Sequence, residues 1–104
     1  MSVLLDLSIF PMDQGAAVSA FVAPVVAMIR VSGHPYRLTA MGTIIETESL
    51  EEALALVSRA HSLLEQQGCT RVFATTKLDI RDGPLGRITG KIERISEHIG
   101  DVDR

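Results

Sequence analysis

Apolar and polar residues alternate along two segments of the chain, a pattern that is typical of strands with one buried face. In segment 3–10, one face carries Val3, Leu5, Leu7 and Ile9, and the other carries Leu4, Asp6, Ser8 and Phe10. In segment 71–81, one face carries Val72, Ala74, Thr76, Leu78 and Ile80, and the other carries Arg71, Phe73, Thr75, Lys77, Asp79 and Arg81. Both segments are predicted strands.

Apolar residues recur at helical spacing in three other segments. The first starts at Ser19, a candidate N-cap, and contains Pro24 near its first turn, which predicts a late start or a slight kink. The second opens on the capping box Ser49–Glu52. The apolar positions of the three segments are Phe21, Val22, Val25 and Ile29; Leu50, Leu54, Val57, His61 and Leu64; and Ile88, Ile92, Ile95 and Ile99.

Two short extended segments, 36–40 and 43–47, lie between the first two helices, with Met41-Gly42 as their hairpin turn. The predicted order is therefore β-α-β-β-α-β with an extra C-terminal helix. This is the ferredoxin-like α+β arrangement, in which two helices cover one face of a four-stranded antiparallel sheet. We expect residues 1–104 to form a single domain, because 104 residues is a common size for one.

The amino-acid composition argues against several classes of function. Only 4% of the residues are aromatic and the net charge is −3 with no basic run, which disfavours nucleic-acid binding. No segment is long and apolar enough to predict a membrane span or a signal peptide. The single cysteine, Cys69, has no disulfide partner and fits a reducing cytoplasm.

The sheet face turned away from the helices is predicted to be half polar and half apolar. Its polar residues are Asp6, Ser8, Thr75, Lys77, Asp79 and Arg81, joined by Arg37, Thr39 and either Thr43 or Glu46, which have opposite parity. Leu4, Phe10 and Phe73 supply its apolar part. Such a face favours pairing with a second subunit, and a small polar ligand at the rim of that pairing is the functional alternative.

Catalytic and metal signatures are weak. His61 lies on the apolar stripe of the second helix, and we interpret it as a packed histidine rather than a ligand or base. No nucleophile–base pair, glycine-rich phosphate loop or metal-ligand cluster stands out. We therefore predict a non-enzymatic protein without a cofactor or metal.

The chain resembles the YkoF-like thiamine-binding family over nearly its whole length. The segments that carry the resemblance are Ser8-Ile-Phe-Pro11, Ser19-Ala-Phe-Val22, Tyr36 through Met-Gly-Thr-Ile-Ile-Glu46, His61, Arg71-Val72 and Lys77-Leu-Asp-Ile-Arg81. The resemblance implies a ferredoxin-like fold, sheet-to-sheet dimers that form tetramers, and binding of thiamine or its hydroxymethylpyrimidine moiety without catalysis. It assigns ligand binding to Ser8, Thr43, Glu46, Lys77 and Asp79. Ala40 and Thr47 stand where the family often has Pro and Gly.

Two hypotheses follow. In the first, the protein is a cytoplasmic carrier, buffer or sensor that binds thiamine or hydroxymethylpyrimidine at an oligomer interface. In the second, it is a structural or regulatory homo-oligomer without a small-molecule ligand.

Overall fold

A four-stranded antiparallel sheet forms the centre of the protein, and the computed structural model describes all residues, Met1–Arg104. The elements are β1 (Ser2–Pro11), α1 (Ser19–Val31), β2 (Tyr36–Thr39), β3 (Gly42–Thr47), α2 (Leu50–Gln66), β4 (Val72–Arg81) and α3 (Arg87–Ile99). The spatial order of the strands is β2-β3-β1-β4. The predicted ferredoxin-like α+β order with a C-terminal helix is confirmed. None of the three helices is long and apolar enough to cross a membrane.

Strand β1 lies between β3 and β4 and supplies one wall of the core. Its alternation is as the sequence predicts, because Val3, Leu5, Leu7 and Ile9 are each at most 7% exposed. They pack against α1 and α2 together with Val25, Met28, Ile29, Ile45, Ala53, Leu56, Ala60 and Leu64. We call the opposite surface of the sheet, which α1 and α2 leave uncovered, the open face.

The start of α1 differs from the prediction. The N-cap is Val18 rather than Ser19, and no side chain caps the first turn. Pro24 lies inside a continuous helix of 13 residues, so it neither delays the start nor breaks the helix. Pro24 is exposed and is the sixth residue of α1, so the helix continues through it although the hydrogen bond to the carbonyl oxygen of Ala20 is lost.

The start of α2 follows the predicted capping box. Ser49 Oγ accepts the N–H of Glu52 at 3.2 Å. The Glu52 carboxylate accepts the N–H of Glu48 at 3.2 Å, one residue earlier than the usual reciprocal bond.

The buried side of α2 is rotated from the predicted stripe. The residues that pack on the sheet are Ala53, Leu56, Ala60 and Leu64. Leu54 is 50% exposed and His61 is exposed, so the interpretation of His61 as a packed histidine is wrong. The two alanines allow α2 to lie close to the sheet, and His61 then lies on the side of α2 that faces the edge strand β4.

Strand β4 is an edge strand with little cover on either face. Val72 is half-buried and every other residue of the strand is exposed. Leu78 and Ile80, on the side of α1 and α2, are 38% and 49% exposed, and Phe73 on the open face is 51% exposed. No strand pairs with the outer edge of β4. A long uncovered edge of this kind is a typical surface for association with another chain.

The β2–β3 hairpin turns at Ala40 and Met41, one residue earlier than predicted. Gly42 starts β3 where the hairpin meets β1. A Cβ atom at this position would lie 2.9 Å from the carbonyl oxygen of Leu7 and 3.3 Å from Oδ1 of Asp6. The absence of a side chain at Gly42 therefore allows β3 to approach β1.

Candidate ligand-binding site

The strand register separates the five predicted site residues. Glu46 and Asp79 flank Leu4 in one row across the open face. In the next row Lys77 lies beside Asp6, and in the row after that Ser8 pairs with Thr75. Thr43 pairs with Leu7 and is buried on the opposite face, so parity selects Glu46 and not Thr43 for the open face.

The carboxylate of Glu46 is buried and fully engaged in the fold. It accepts the N–H of Gly86 at 3.0 Å and the N–H of Arg87 at 3.1 Å, which are the first free amides of α3. It also accepts the hydroxyl of Ser2. Glu46 therefore caps the N-terminus of α3, where a negative charge is favourable.

These contacts set the ionisation of Glu46. Burial acts to raise its pKa, but the hydrogen bonds from Ser2 and from the backbone of Gly86, Arg87 and Ile88 outweigh burial, so the pKa lies below its ordinary value. The side chain remains a carboxylate at neutral pH.

Arg87 links α3 to β1 and β4, because its side chain bonds to both Ser2 and Asp79. Its Nη1 lies 2.9 Å from Oδ2 of Asp79, and its Nη2 donates to the carbonyl oxygens of Ser2 and Asp79 at 2.7 and 2.8 Å. Its Nε donates to the hydroxyl of Ser2 at 2.9 Å. We call Ser2, Glu46, Asp79 and Arg87 the α3 clasp. Sequence reasoning missed Ser2 and Arg87, because only the folded chain brings these residues together.

Lys77 forms a separate pair on the open face. Its Nζ lies 3.6 Å from Oδ2 of Asp6, and the Lys77 side chain is 79% exposed. An exposed pair of this kind contributes little to stability. Both groups therefore remain accessible to a polar partner.

A cavity of about 370 Å³ lies between α1 and the tip of the β2–β3 hairpin, and we call it the hairpin cavity. Aliphatic residues of α1, Val22, Val25, Val26 and Ile29, form one wall. The end of β1 and the turn form the other, with Ser8 and Thr43 among the lining residues. Two of the five predicted site residues therefore meet here. The side chain of Thr43 has no hydrogen-bond partner within the chain, which leaves its hydroxyl free for a ligand.

A second, wider cavity lies between α2 and β4. His61, Glu65, Cys69 and Arg71 line it. Burial, followed by the charge of Asp13, raises the pKa of the Cys69 thiol, so the thiol is protonated at neutral pH and is a poor nucleophile. No group of three His, Cys, Asp or Glu side chains is placed to hold a metal ion. This cavity offers no assembled catalytic or metal centre.

Solved structures share this fold. A Bacillus cereus domain of unknown function, DUF77, aligns with a TM-score of 0.79 and 24% identity over 90% of this chain and 89% of that one. A hypothetical protein of Methanocaldococcus jannaschii aligns with a TM-score of 0.74 and 30% identity over 97% and 98%. A Thermotoga maritima protein, described provisionally as one of thiamine biosynthesis or salvage, aligns with a TM-score of 0.77 and 20% identity over 91% and 99%.

Sequence relatives cover the same extent. A UPF0045 protein of Methanothermobacter thermautotrophicus is 30% identical over 90% of this chain and 96% of its own. A UPF0045 protein of Mycobacterium bovis is 32% identical over 95% and 96%. The sequence profile of a family described as thiamine-binding protein matches residues 5–96. The chain therefore belongs to the thiamine-binding protein family, together with these UPF0045 relatives.

Proposed function

We propose that the protein binds thiamine or its hydroxymethylpyrimidine moiety in the hairpin cavity, and that it does not transform the ligand. The observation that carries this proposal is the cavity itself, about 370 Å³ in volume, which is lined by aliphatic side chains together with Ser8 and Thr43. Family membership supplies the ligand class. The volume falls in the range of small-ligand sites, which are largely apolar with a few polar groups that fix orientation.

The chemistry of the cavity matches a pyrimidine better than a highly charged ligand. The flat ring can lie between aliphatic side chains of α1 and the hairpin, while its nitrogen and amine groups need hydrogen-bond partners at the edge. Phe10 of β1 is the only aromatic residue that lines the cavity, so hydrogen bonds contribute more than ring stacking to the orientation of the ligand.

The proposal assigns different roles to the five predicted residues. Ser8 and Thr43 contact the ligand, and Lys77 remains available at the rim of the open face. Glu46 and Asp79 hold α3 through Arg87 and act on the ligand only through the placement of that helix.

We also propose that a second subunit closes the cavity. Leu38 and Met41, which line its mouth, are 60% and 86% exposed, and Phe10 and Phe73 form an apolar pair on the open face with ring centroids 5.8 Å apart. Exposed apolar residues around a cavity favour a covering partner. In this proposal, subunits pair through the sheet into dimers, and the dimers form tetramers. The assembled protein acts as a cytoplasmic carrier, buffer or sensor of the ligand.

Titration calorimetry with thiamine, hydroxymethylpyrimidine and the isolated hydroxyethylthiazole tests the ligand. We expect heat with the first two and none with the thiazole. The absence of heat with both pyrimidine compounds at millimolar concentration would contradict the proposal.

One observation favours a second candidate function, a structural or regulatory homo-oligomer without a ligand. Strand β4 is exposed on both faces and along its edge, independently of the hairpin cavity. This alternative expects Glu46→Gln and Asp79→Asn to alter assembly while no compound binds. Light scattering combined with calorimetry on these variants separates the two functions, because unchanged assembly with measurable thiamine binding contradicts the alternative.

A further inference from the structure

The β2–β3 hairpin is shorter than the strand it pairs with. The β1–β3 ladder ends at the pair Leu7–Thr43, and the chain then turns at Ala40 and Met41. Strand β1 continues through Ser8, Ile9 and Phe10 to Pro11, with only β4 beside it. The hairpin cavity is lined by Ser8, Ile9 and Phe10, which lie beyond this pair, and by the turn residues Ala40 and Met41.

The hydrogen-bond pattern shows which main-chain groups of β1 are left without a partner beyond the end of the β1–β3 ladder. In an antiparallel pair, alternate residues direct both their N–H and C=O groups to the same neighbouring strand. Met12 donates its N–H to Arg71 on the β4 side at 2.8 Å, so in the regular β1–β4 register Phe10 and Ser8 also face β4. The intervening residues Leu7 and Ile9 therefore face β3.

Strand β3 has the complementary phase. Glu46 donates its N–H to the carbonyl oxygen of Pro35 at 2.9 Å. In this register the main-chain groups of the even-numbered residues of β3 point toward β2, and those of the odd-numbered residues, such as Thr43, point toward β1. The register that pairs Leu7 with Thr43 would pair Ile9 with Met41, but Met41 lies in the turn. No backbone or side-chain hydrogen bond joins Ile9 to the turn.

Ile9 thus combines a buried position with an unpaired main-chain edge. The residue is 7% exposed and lines the hairpin cavity. A main-chain N–H and C=O without partners in such a place are costly, and native proteins rarely leave them unsatisfied. A ligand that fills the cavity and presents an acceptor next to a donor would satisfy both groups.

We infer that the main chain of Ile9 recognises the aminopyrimidine edge of the ligand: its N–H donates to the ring nitrogen and its C=O accepts from the adjacent exocyclic amine. This inference rests on the proposed function and deepens it, since it identifies the groups that select an amine at this ring position. Side-chain identity at residue 9 has no part in the hydrogen bonds. Thr43 is placed to orient the remainder of the ring.

Ligand analogues test the inference directly. Thiamine is compared with oxythiamine, and hydroxymethylpyrimidine with its 4-oxo analogue, in which a carbonyl and a ring N–H reverse the donor and acceptor. We expect each oxo compound to bind at least tenfold more weakly, because both groups of Ile9 then face like groups. Equal affinities would overturn the inference while the proposed function stands, and no binding by thiamine or hydroxymethylpyrimidine would overturn both.

Amide NMR locates the contact. On addition of hydroxymethylpyrimidine, the Ile9 amide is expected to shift and to exchange more slowly with solvent, whereas the Leu7 amide, already paired with Thr43, serves as the control. An Ile9 amide that is protected in the ligand-free protein would show that a second copy of the chain pairs with this edge, and would overturn the inference.

A longer hairpin provides a second test. Insertion of Asn-Gly between Ala40 and Met41 supplies a new two-residue turn and lets Met41 pair with Ile9. We expect the variant to retain Leu7 amide protection, to gain protection at Ile9 and to lose at least tenfold in affinity for hydroxymethylpyrimidine. Undiminished affinity together with a protected Ile9 amide would contradict the inference.

Discussion

The carboxylate of Glu46 accepts the backbone N–H of Gly86 at 3.0 Å, across 40 residues of sequence. This bond and its neighbours hold α3 at one end of the open face, although no residue of α3 is fully buried. Because the helix has little packing of its own, its position depends on the α3 clasp.

Replacement of Glu46 with Gln removes the charge that caps α3. We expect the free energy of unfolding at pH 7 to fall by about 1.5–3 kcal/mol, the range for hydrogen bonds to a charged group. Chemical denaturation measures the change, with Glu93→Gln on the exposed side of α3 as the matched control. A loss no larger than that of the control would argue against the clasp.

The same carboxylate makes stability depend on pH. Its pKa is lower in the folded protein than in the unfolded chain, so its contribution is complete above the ordinary carboxyl pKa and is lost as the pH falls through the folded value. The wild-type protein should therefore lose stability below the ordinary glutamate range more steeply than Glu46→Gln. Parallel acid-unfolding curves for the two proteins would contradict this expectation.

Gly42 and Gly90 should respond to alanine in opposite ways. At Gly42 the new Cβ would lie 2.9 Å from the Leu7 carbonyl oxygen, and we expect a loss of about 1–3 kcal/mol from strain. At Gly90, inside α3, the nearest atom is Arg94 Nη1 at 3.6 Å, and Gly90→Ala should gain about 0.5–1 kcal/mol from helix propensity. Thermal unfolding of both variants checks the pair, and the same sign for both would refute the argument.

Thr43→Val keeps the shape of the side chain and removes its free hydroxyl. We expect affinity for hydroxymethylpyrimidine to fall by about 1 kcal/mol with little change in stability. Thr47→Val is the matched control, because Thr47 Oγ1 donates to the carbonyl oxygen of Ser49 at 2.8 Å and serves the fold. Calorimetry should separate the two variants. Equal affinities for Thr43→Val and wild type would remove Thr43 from the site.

Phe73→Lys tests the open face as an interface. A charge in place of a ring that is 51% exposed should weaken association through this face by at least tenfold. Sedimentation velocity over a range of concentrations measures the assembly. Val31→Lys on α1 is the control, because it adds the same charge at a residue that is 80% exposed and lies away from the open face. Dissociation by Val31→Lys alone would place the interface on α1 instead.

The sequence predicts the fold well because the relevant signals are local. Alternation in β1 and the capping box at Ser49 identify their elements without knowledge of the rest of the chain. The start of α1 was misplaced, since Ser19 has the right chemistry for an N-cap but the helix starts without a side-chain cap. His61 was misjudged because helical spacing gives a stripe, while the small residues Ala53 and Ala60 decide which side packs.

The site was predictable only in part. Parity in the sequence left either Thr43 or Glu46 on the open face, and the register of β1 and β3 selects Glu46. Neither shows that the Glu46 carboxylate is engaged by α3. Arg87 lies in a segment with no motif, and its bonds to Ser2 and Asp79 join parts of the chain that are distant in sequence. The free edge at Ile9 depends on hydrogen-bond phase, which residue types do not encode.

The hairpin cavity arises from a difference in strand length: β1 spans 10 residues, whereas β3 spans 6. Its shape is therefore set by the length of a turn as much as by the residues that line it. Two proteins with this fold could share the cavity with no lining side chain in common, and one could lose it through a short insertion that leaves every motif intact. If the cavity holds the ligand as proposed, the length of the β2–β3 hairpin determines binding alongside the lining residues.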